Sequence, residues 1–338
     1  MPAARAAGPA SSRGKVVVVT TGGTIASRHD SGRGAVLATV KGRELIEALP
    51  EPPPDVAVEV SEFCNVGSYL LDLTTAFALA KRIEERLAEP DVRGVIVTHG
   101  TDTMEESAFL ADLVIGSDKP VVFTGAQRHD DEPDRDGPRN LAAAIRAAAS
   151  DHTRGLGAMI LFDQELHAAR DATKTHSYRV GAFQSAEHGK LGEIDGEEVI
   201  IHRRPVLRRH VDTDRIEPRV DLIKLVMGCD ARLLRCALET GARGLVIEAF
   251  GRGNANHEIV AGTRDAVAAG IPVVVTSRCP QGRVRPIYGN GGGKDMDAAG
   301  AIFAGDLSGI KARILLAVLL GRPRPREELV QAFAAVAG

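Results

Sequence analysis

Two stretches of this chain place threonine hydroxyls where the backbone can approach a ligand closely. The first is Thr20-Thr21-Gly22-Gly23-Thr24-Ile25-Ala26. Its paired glycines allow a sharp turn and leave N–H groups able to face an oxyanion. A hydroxyl held there becomes a nucleophile once a neighbour takes its proton. The same residues also suit an ordinary strand-to-helix turn with a capping threonine. The second stretch is Thr98-His99-Gly100-Thr101-Asp102-Thr103-Met104-Glu105-Glu106. Here Thr101 and Asp102 can face a ligand while Thr103 caps a helix, with Glu105 and Glu106 at the positive end of its dipole.

Two further stretches carry polar groups at strand ends. Gly125-Ala126-Gln127-Arg128 and Asp136-Gly137-Pro138-Arg139-Asn140-Leu141 flank a loop rich in Asp, Pro and Arg. Pro138 suits the first turn of a helix. Arg170-Asp171-Ala172-Thr173-Lys174-Thr175 supplies a lysine that can accept a proton, hold a charge pair or simply lie at the surface. The four cysteines, Cys64, Cys229, Cys236 and Cys279, form no C-x-x-C pair and lack a histidine cluster. That spacing excludes an ordinary zinc site and predicts buried, reduced thiols.

The elements needed to hold these residues are legible as alternating apolar runs and helical patterns. Strands are expected over 15–20, 56–60 (an edge strand), 94–98, 121–125 and 158–162, and helices over 42–49, 73–87, 105–115 and 139–149. Strands alternating with helices indicate an α/β fold, with a mostly parallel sheet flanked by helices. After residue 219 the rhythm resumes with strands over 222–227, 245–249 and 272–277 and helices over 231–239, 259–268, 310–320 and 327–336. The predicted organisation is a disordered tail at 1–14, a larger N-terminal catalytic domain at 15–202, a linker at 203–219, and a smaller α/β domain with a parallel sheet at 220–338. The five linker arginines before Arg219, namely Arg203, Arg204, Arg208, Arg209 and Arg215, read as a solvated charge run. Ligands of open parallel sheets bind beyond the carboxyl ends of the strands. The polar stretches above lie there.

Bulk properties narrow the function class. The chain has 338 residues, enough for two domains of roughly 100–200 residues each. A net charge of -3 and a pI near 6.4 give no field for nucleic acid. No apolar run approaches a membrane span, and the first fourteen residues lack the apolar stretch of a secretory signal. The cytoplasm is the expected location.

These motifs together resemble the bacterial-type L-asparaginases, two-domain threonine-dependent amidohydrolases. The match rests on T-G-G-T-I-A at 21–26, V-G-S at 66–68, T-H-G-T-D-T-M-E-E at 98–106, D-G-P-x-N-L at 136–141 and R-D-x-T-K-T at 170–175. Further on, Gly251-Arg252-Gly253-Asn254-Ala255-Asn256 resembles the family's G-x-G-N-x-N loop, and Lys311-Ala312-Arg313 its last K-A-R helix. The resemblance implies hydrolysis of L-asparagine, or of glutamine or another small amide, through an acyl-enzyme on Thr24. Thr101, Asp102 and Lys174 would form a second constellation, with Lys174 bridging the other two. Gly23, Ser68, Tyr69, Gly100, Thr101, Asp102 and Ala126 would meet the substrate. Asn256 would reach a neighbouring subunit's site in a homotetramer built as a dimer of dimers. Neither cofactor nor metal is implied. A catalytically weak amino-acid-binding protein on the same scaffold is the alternative. Retention of two hydroxyls beside a lysine argues against it.

The chain also departs from the pattern. Relatives carry a tyrosine in a mobile lid after the first threonine, but residues 27–37 contain none. Tyr69 and His29 are the candidates to fill that gap, His29 because imidazole suits proton transfer near neutrality. Asn290-Gly291-Gly292-Gly293-Lys294-Asp295 fails as a phosphate loop, because Tyr288 and Asp295 stand where Gly and Ser or Thr are needed. A flexible loop is expected there, with Asp295 offering a carboxylate in place of the family's C-terminal-domain glutamate.

Overall fold

The computed structural model describes residues 14–30, 32, 34–49, 56–206 and 208–337. The expected tail over 1–14 lies outside the described residues apart from Gly14. The valines and threonines of β1 (Lys15–Gly22) make a continuous buried strand, with Val16–Val19 wholly enclosed. A run of this kind is what a strand covered on both faces requires. An antiparallel hairpin comes next, β2 (Ser27–Asp30) and β3 (Ala35–Ala38), then α1 (Gly42–Glu47) and β4 (Ala57–Val66). The chain continues through α2 (Leu73–Leu87), β5 (Val92–Thr98), α3 (Met104–Val114), β6 (Val121–Thr124), α4 (Gly137–Ala149) and β7 (Ala158–Phe162). In α2, Asp72 accepts from Thr75 N at 2.7 Å and caps the helix, while Leu79, Ala80 and Ile83 are buried. Burial of each large side chain of this kind contributes about 1.5–3 kcal/mol.

The strands β4, β1, β5, β6 and β7 are parallel neighbours. Beyond β7 lie five short strands that sequence periodicity does not reveal: β8 (Glu165–Ala168), β9 (Thr173–Lys174), β10 (Phe183–Gln184), β11 (Gly192–Asp195) and β12 (Glu198–Ile201). The first, β8, turns back against β7, and β11 and β12 extend the sheet antiparallel to eight strands among the described residues. These segments are two to four residues long, too short to display a period.

The second domain holds β13 (Val220–Lys224), α5 (Arg232–Glu239), β14 (Gly244–Ala249), α6 (His257–Ala268), β15 (Val273–Ser277), α7 (Gly293–Ala298), β16 (Ile302–Phe303), α8 (Gly309–Leu319) and α9 (Arg326–Val336). Its four strands are parallel in chain order. The expected strand over 222–227 instead begins at Val220 and stops at Lys224, leaving Val226 and Met227 exposed. The core beneath α2 and α3 continues through α8 and α9, so the two domains share one buried apolar body.

Three expectations need correction. The arginines of 203–219 are not uniformly solvated. Arg208 Nε donates to Asp112, which is buried, at 3.0 Å, and Arg203 donates to Asp171 at 3.1 Å. Buried carboxylates need such partners, and they strap the segment to the first domain. Residues 290–295 are not simply a loop: α7 begins at Gly293, and Asp295 accepts from Gly291 N, so its carboxylate is engaged locally. The cysteines are free, but none is fully buried: Cys64 and Cys229 are half-buried, and Cys236 and Cys279 are exposed.

Candidate active site

Register explains how the first two motifs meet. Thr20 of β1 lies beside Thr98 of β5, so both polar stretches leave the sheet at the same edge. On the other side of β1, Gly22 pairs with Val66, which delivers Val66-Gly67-Ser68 to the same place. Gly22 and Gly23 have φ of 100° and 82°, which a glycine adopts without strain. A Cβ on Gly23 would stand 2.4 Å from the Gly100 nitrogen, and one on Gly100 would stand 2.6 Å from Ser68 Oγ. The glycines of the two motifs therefore let three loops come into close contact.

A cleft of about 550 Å³ opens where they meet, lined among others by Gly23, Thr24, Ser68, Tyr69, Gly100, Thr101 and Asp102. Thr24 heads a short 3-10 turn, Thr24–Ala26, and among the described residues its hydroxyl has no hydrogen-bond partner. Thr101 is buried and well held. Lys174 Nζ donates to Thr101 Oγ1 at 2.8 Å and to Asp102 Oδ1 at 2.8 Å. The Asp102 side chain is 58% exposed, so its second oxygen can take a ligand cation. Behind this group Lys174 N donates to Glu105 Oε1 at 3.2 Å. His99 is enclosed beside Phe123, with Nδ1 2.7 Å from the Gly100 carbonyl oxygen, and burial pushes its pKa down to about 4. A neutral, packed imidazole thus underlies the loop that carries Thr101.

Other predicted residues are placed differently. Tyr69 lines the cleft mouth and is 72% exposed, with its ring over Gly67. His29 lies exposed on β2, where its backbone N–H donates to Asp131 at 2.7 Å, and it does not line the cleft. The hairpin it belongs to is tied down by Arg28, which donates to Asp130 at 2.9 Å. Ala126 is fully buried, against Gly137, and lies outside the cleft lining. Thr103 precedes α3 but makes no side-chain cap; its hydroxyl donates to the Ser68 carbonyl at 2.9 Å instead. Asn256 caps α6 by accepting from Ile259 N at 2.9 Å and donates to the Cys229 carbonyl at 2.7 Å, outside the lining of its own chain's cleft.

The D-G-P-x-N-L stretch is scaffolding. Asp136 accepts from Gln127 N and Arg128 N, and the buried Asn140 donates to the Gly125 carbonyl at 2.9 Å. Ser27, Thr39, Asn65 and Leu70 also line the cleft, although no sequence motif marked them as candidates. Ser27 and Thr39 arrive through the β2–β3 hairpin, whose strands are too short to be recognised from their pattern. Asn65 had one available signal, its position next to Val66-Gly67-Ser68.

The fold and site define a two-domain α/β protein with threonine hydroxyls, a lysine and a carboxylate gathered at the carboxyl edge of a parallel sheet. Residues 15–207 match the model of the asparaginase N-terminal domain, and residues 219–333 match that of the glutaminase/asparaginase C-terminal domain. The chain is 34% identical to an L-asparaginase of Bacillus licheniformis, covering 90% of this chain and 95% of the relative. It is 36% identical to a probable L-asparaginase of Deinococcus radiodurans, covering 94% and 97%. It is 31% identical to a probable periplasmic L-asparaginase of Haemophilus influenzae, covering 94% and 92%. The chain belongs to the asparaginase family. Among the described residues no helix is long and apolar enough to cross a membrane.

Proposed function

We propose that this protein hydrolyses L-asparagine to L-aspartate and ammonia, with Thr24 as nucleophile. The observation that carries this reading is Lys174, 2.8 Å from both Thr101 and Asp102 at the edge of the cleft that Thr24 lines. Binding alone needs no lysine bridging a hydroxyl and a carboxylate. In the first step Thr24 Oγ bonds to the side-chain amide carbon, the C–N bond breaks, and ammonia leaves with the hydroxyl proton. Water then attacks the ester, aspartate departs, and the Thr24 hydroxyl is restored. Lys174 and Thr101 relay protons in these transfers, a role that typically contributes about 10²–10⁴-fold. Ser68 and Asp102 hold the substrate's α-carboxylate and α-amino group. Asp102 is suited to the amine because its carboxylate is exposed to the cleft.

Asn256 completes the site of a second copy in a dimer of dimers. The reading is supported by its placement outside the lining of its own cleft. Ammonia release from L-asparagine, L-glutamine and their D-forms tests the function directly. Turnover of L-asparagine is expected. Calorimetric binding of asparagine without ammonia would overturn the enzymatic reading in favour of a binding protein.

A further inference from the structure

Lys311 is the most deeply buried ammonium among the described residues. It lies on α8 of the second domain, 2% exposed, beside the ring of Phe109. A charge in such a place needs compensating acceptors. Lys311 Nζ finds two, the carbonyls of Arg170 at 2.7 Å and Ala172 at 2.5 Å. Those peptides immediately precede Thr173–Lys174, the short strand that presents Lys174 to Thr101.

The same segment is held from the second domain at two more points. Arg170 Nε donates to the Val336 carbonyl at 2.8 Å, and Arg170 also pairs with the buried Asp306 at 2.5 Å. From the first domain, Glu105 accepts from Lys174 N while its other oxygen is buried without a hydrogen-bond partner. Glu105 also attracts the Lys311 ammonium electrostatically. Burial pushes the Lys311 pKa down to about 8 against that attraction.

We propose that Lys311 is a positioning residue for the reaction: it clamps the carbonyls of Arg170 and Ala172, so that α8 of the same chain sets where Lys174 meets Thr101 and Asp102. The second domain then contributes to its own chain's catalysis through the backbone, without touching substrate. The geometry favours this over simple packing, because an apolar side chain would fill the space but deprive two buried carbonyls of this donor. A displacement on the order of 1 Å in a catalytic group costs about 10²-fold in rate.

This inference rests on the proposed hydrolysis, and the test separates the two. Wild-type turnover of L-asparagine is the control; its absence overturns the function itself. With an active wild type, K311M is expected to lower kcat by roughly 10–100-fold with KM within about twofold, because the displaced group, Lys174, is given a part in proton transfer and none in holding substrate. K311R, which retains donors and charge, is expected to recover part of that loss. A folded K311M with kcat within about twofold of wild type overturns the proposal. So does a loss confined to KM or to thermal stability. If K311M does not fold, E105Q on the other side of the same segment is read by the same split, with the same outcomes for and against.

Discussion

Thr24 and Thr101, both lining the cleft, are held in opposite ways. Thr101 is buried, bonded to Lys174, and rests on the enclosed His99. Thr24 sits on a turn made possible by two left-handed glycines, with its hydroxyl free of partners among the described residues. One hydroxyl is organised by a contact spanning 73 residues of chain, the other by local backbone geometry. The difference suits their proposed parts. A proton relay needs fixed partners before substrate arrives, whereas a nucleophile needs an open approach and can gain its partners with substrate bound.

That contrast can be broken most decisively by removing each hydroxyl. Thr24→Ala and Thr101→Ala are each expected to cut kcat by at least about 10³-fold while circular dichroism stays native. Near-normal turnover in either variant would show that the residue is misassigned. A Gly23→Ala substitution tests whether backbone geometry, rather than side-chain contacts, holds Thr24. The new methyl would meet the Gly100 backbone at 2.4 Å in a left-handed conformation. A stability loss of about 1–3 kcal/mol in urea unfolding is expected, with lowered activity in the folded fraction. Wild-type stability and activity would mean the two loops are not packed as described.

The last contrast concerns the support under Thr101. His99 has a folded pKa of about 4 against 6.5 when unfolded, so the unfolded chain binds more protons between these values. Stability from this residue is therefore full above pH 6.5 and is lost as pH falls toward 4. The melting temperature of the wild type should drop over that window, and His99→Gln should flatten this part of the profile. An unchanged profile in the variant would assign the acid sensitivity to other groups.

Much of the site is legible along the chain. Thr24, Thr101 and Asp102 follow apolar runs, Ser68 and Tyr69 are marked by the V-G-S motif and their place beside it, and all five line the cleft. Strands β1 and β5 are long and largely apolar, so their ends are easy to place. The short strands after residue 164 are not legible, since two to four residues carry no period. Ala126 shows the opposite limit: motif membership identified it, but it is packed away from the cleft.

Residue type and spacing were thus enough for the α/β class, the positions of the long buried strands, and the motif residues that mark the asparaginase family. Those features are local or periodic, and need no knowledge of which segments meet. Three-dimensional packing was required to establish that Gly23 rests on Gly100, that Lys174 bridges Thr101 and Asp102, and that Lys311 holds the segment leading to Lys174. Each of these depends on sheet register and on packing between distant segments. Such contacts form because buried polar groups must find partners in space, whatever their separation along the chain.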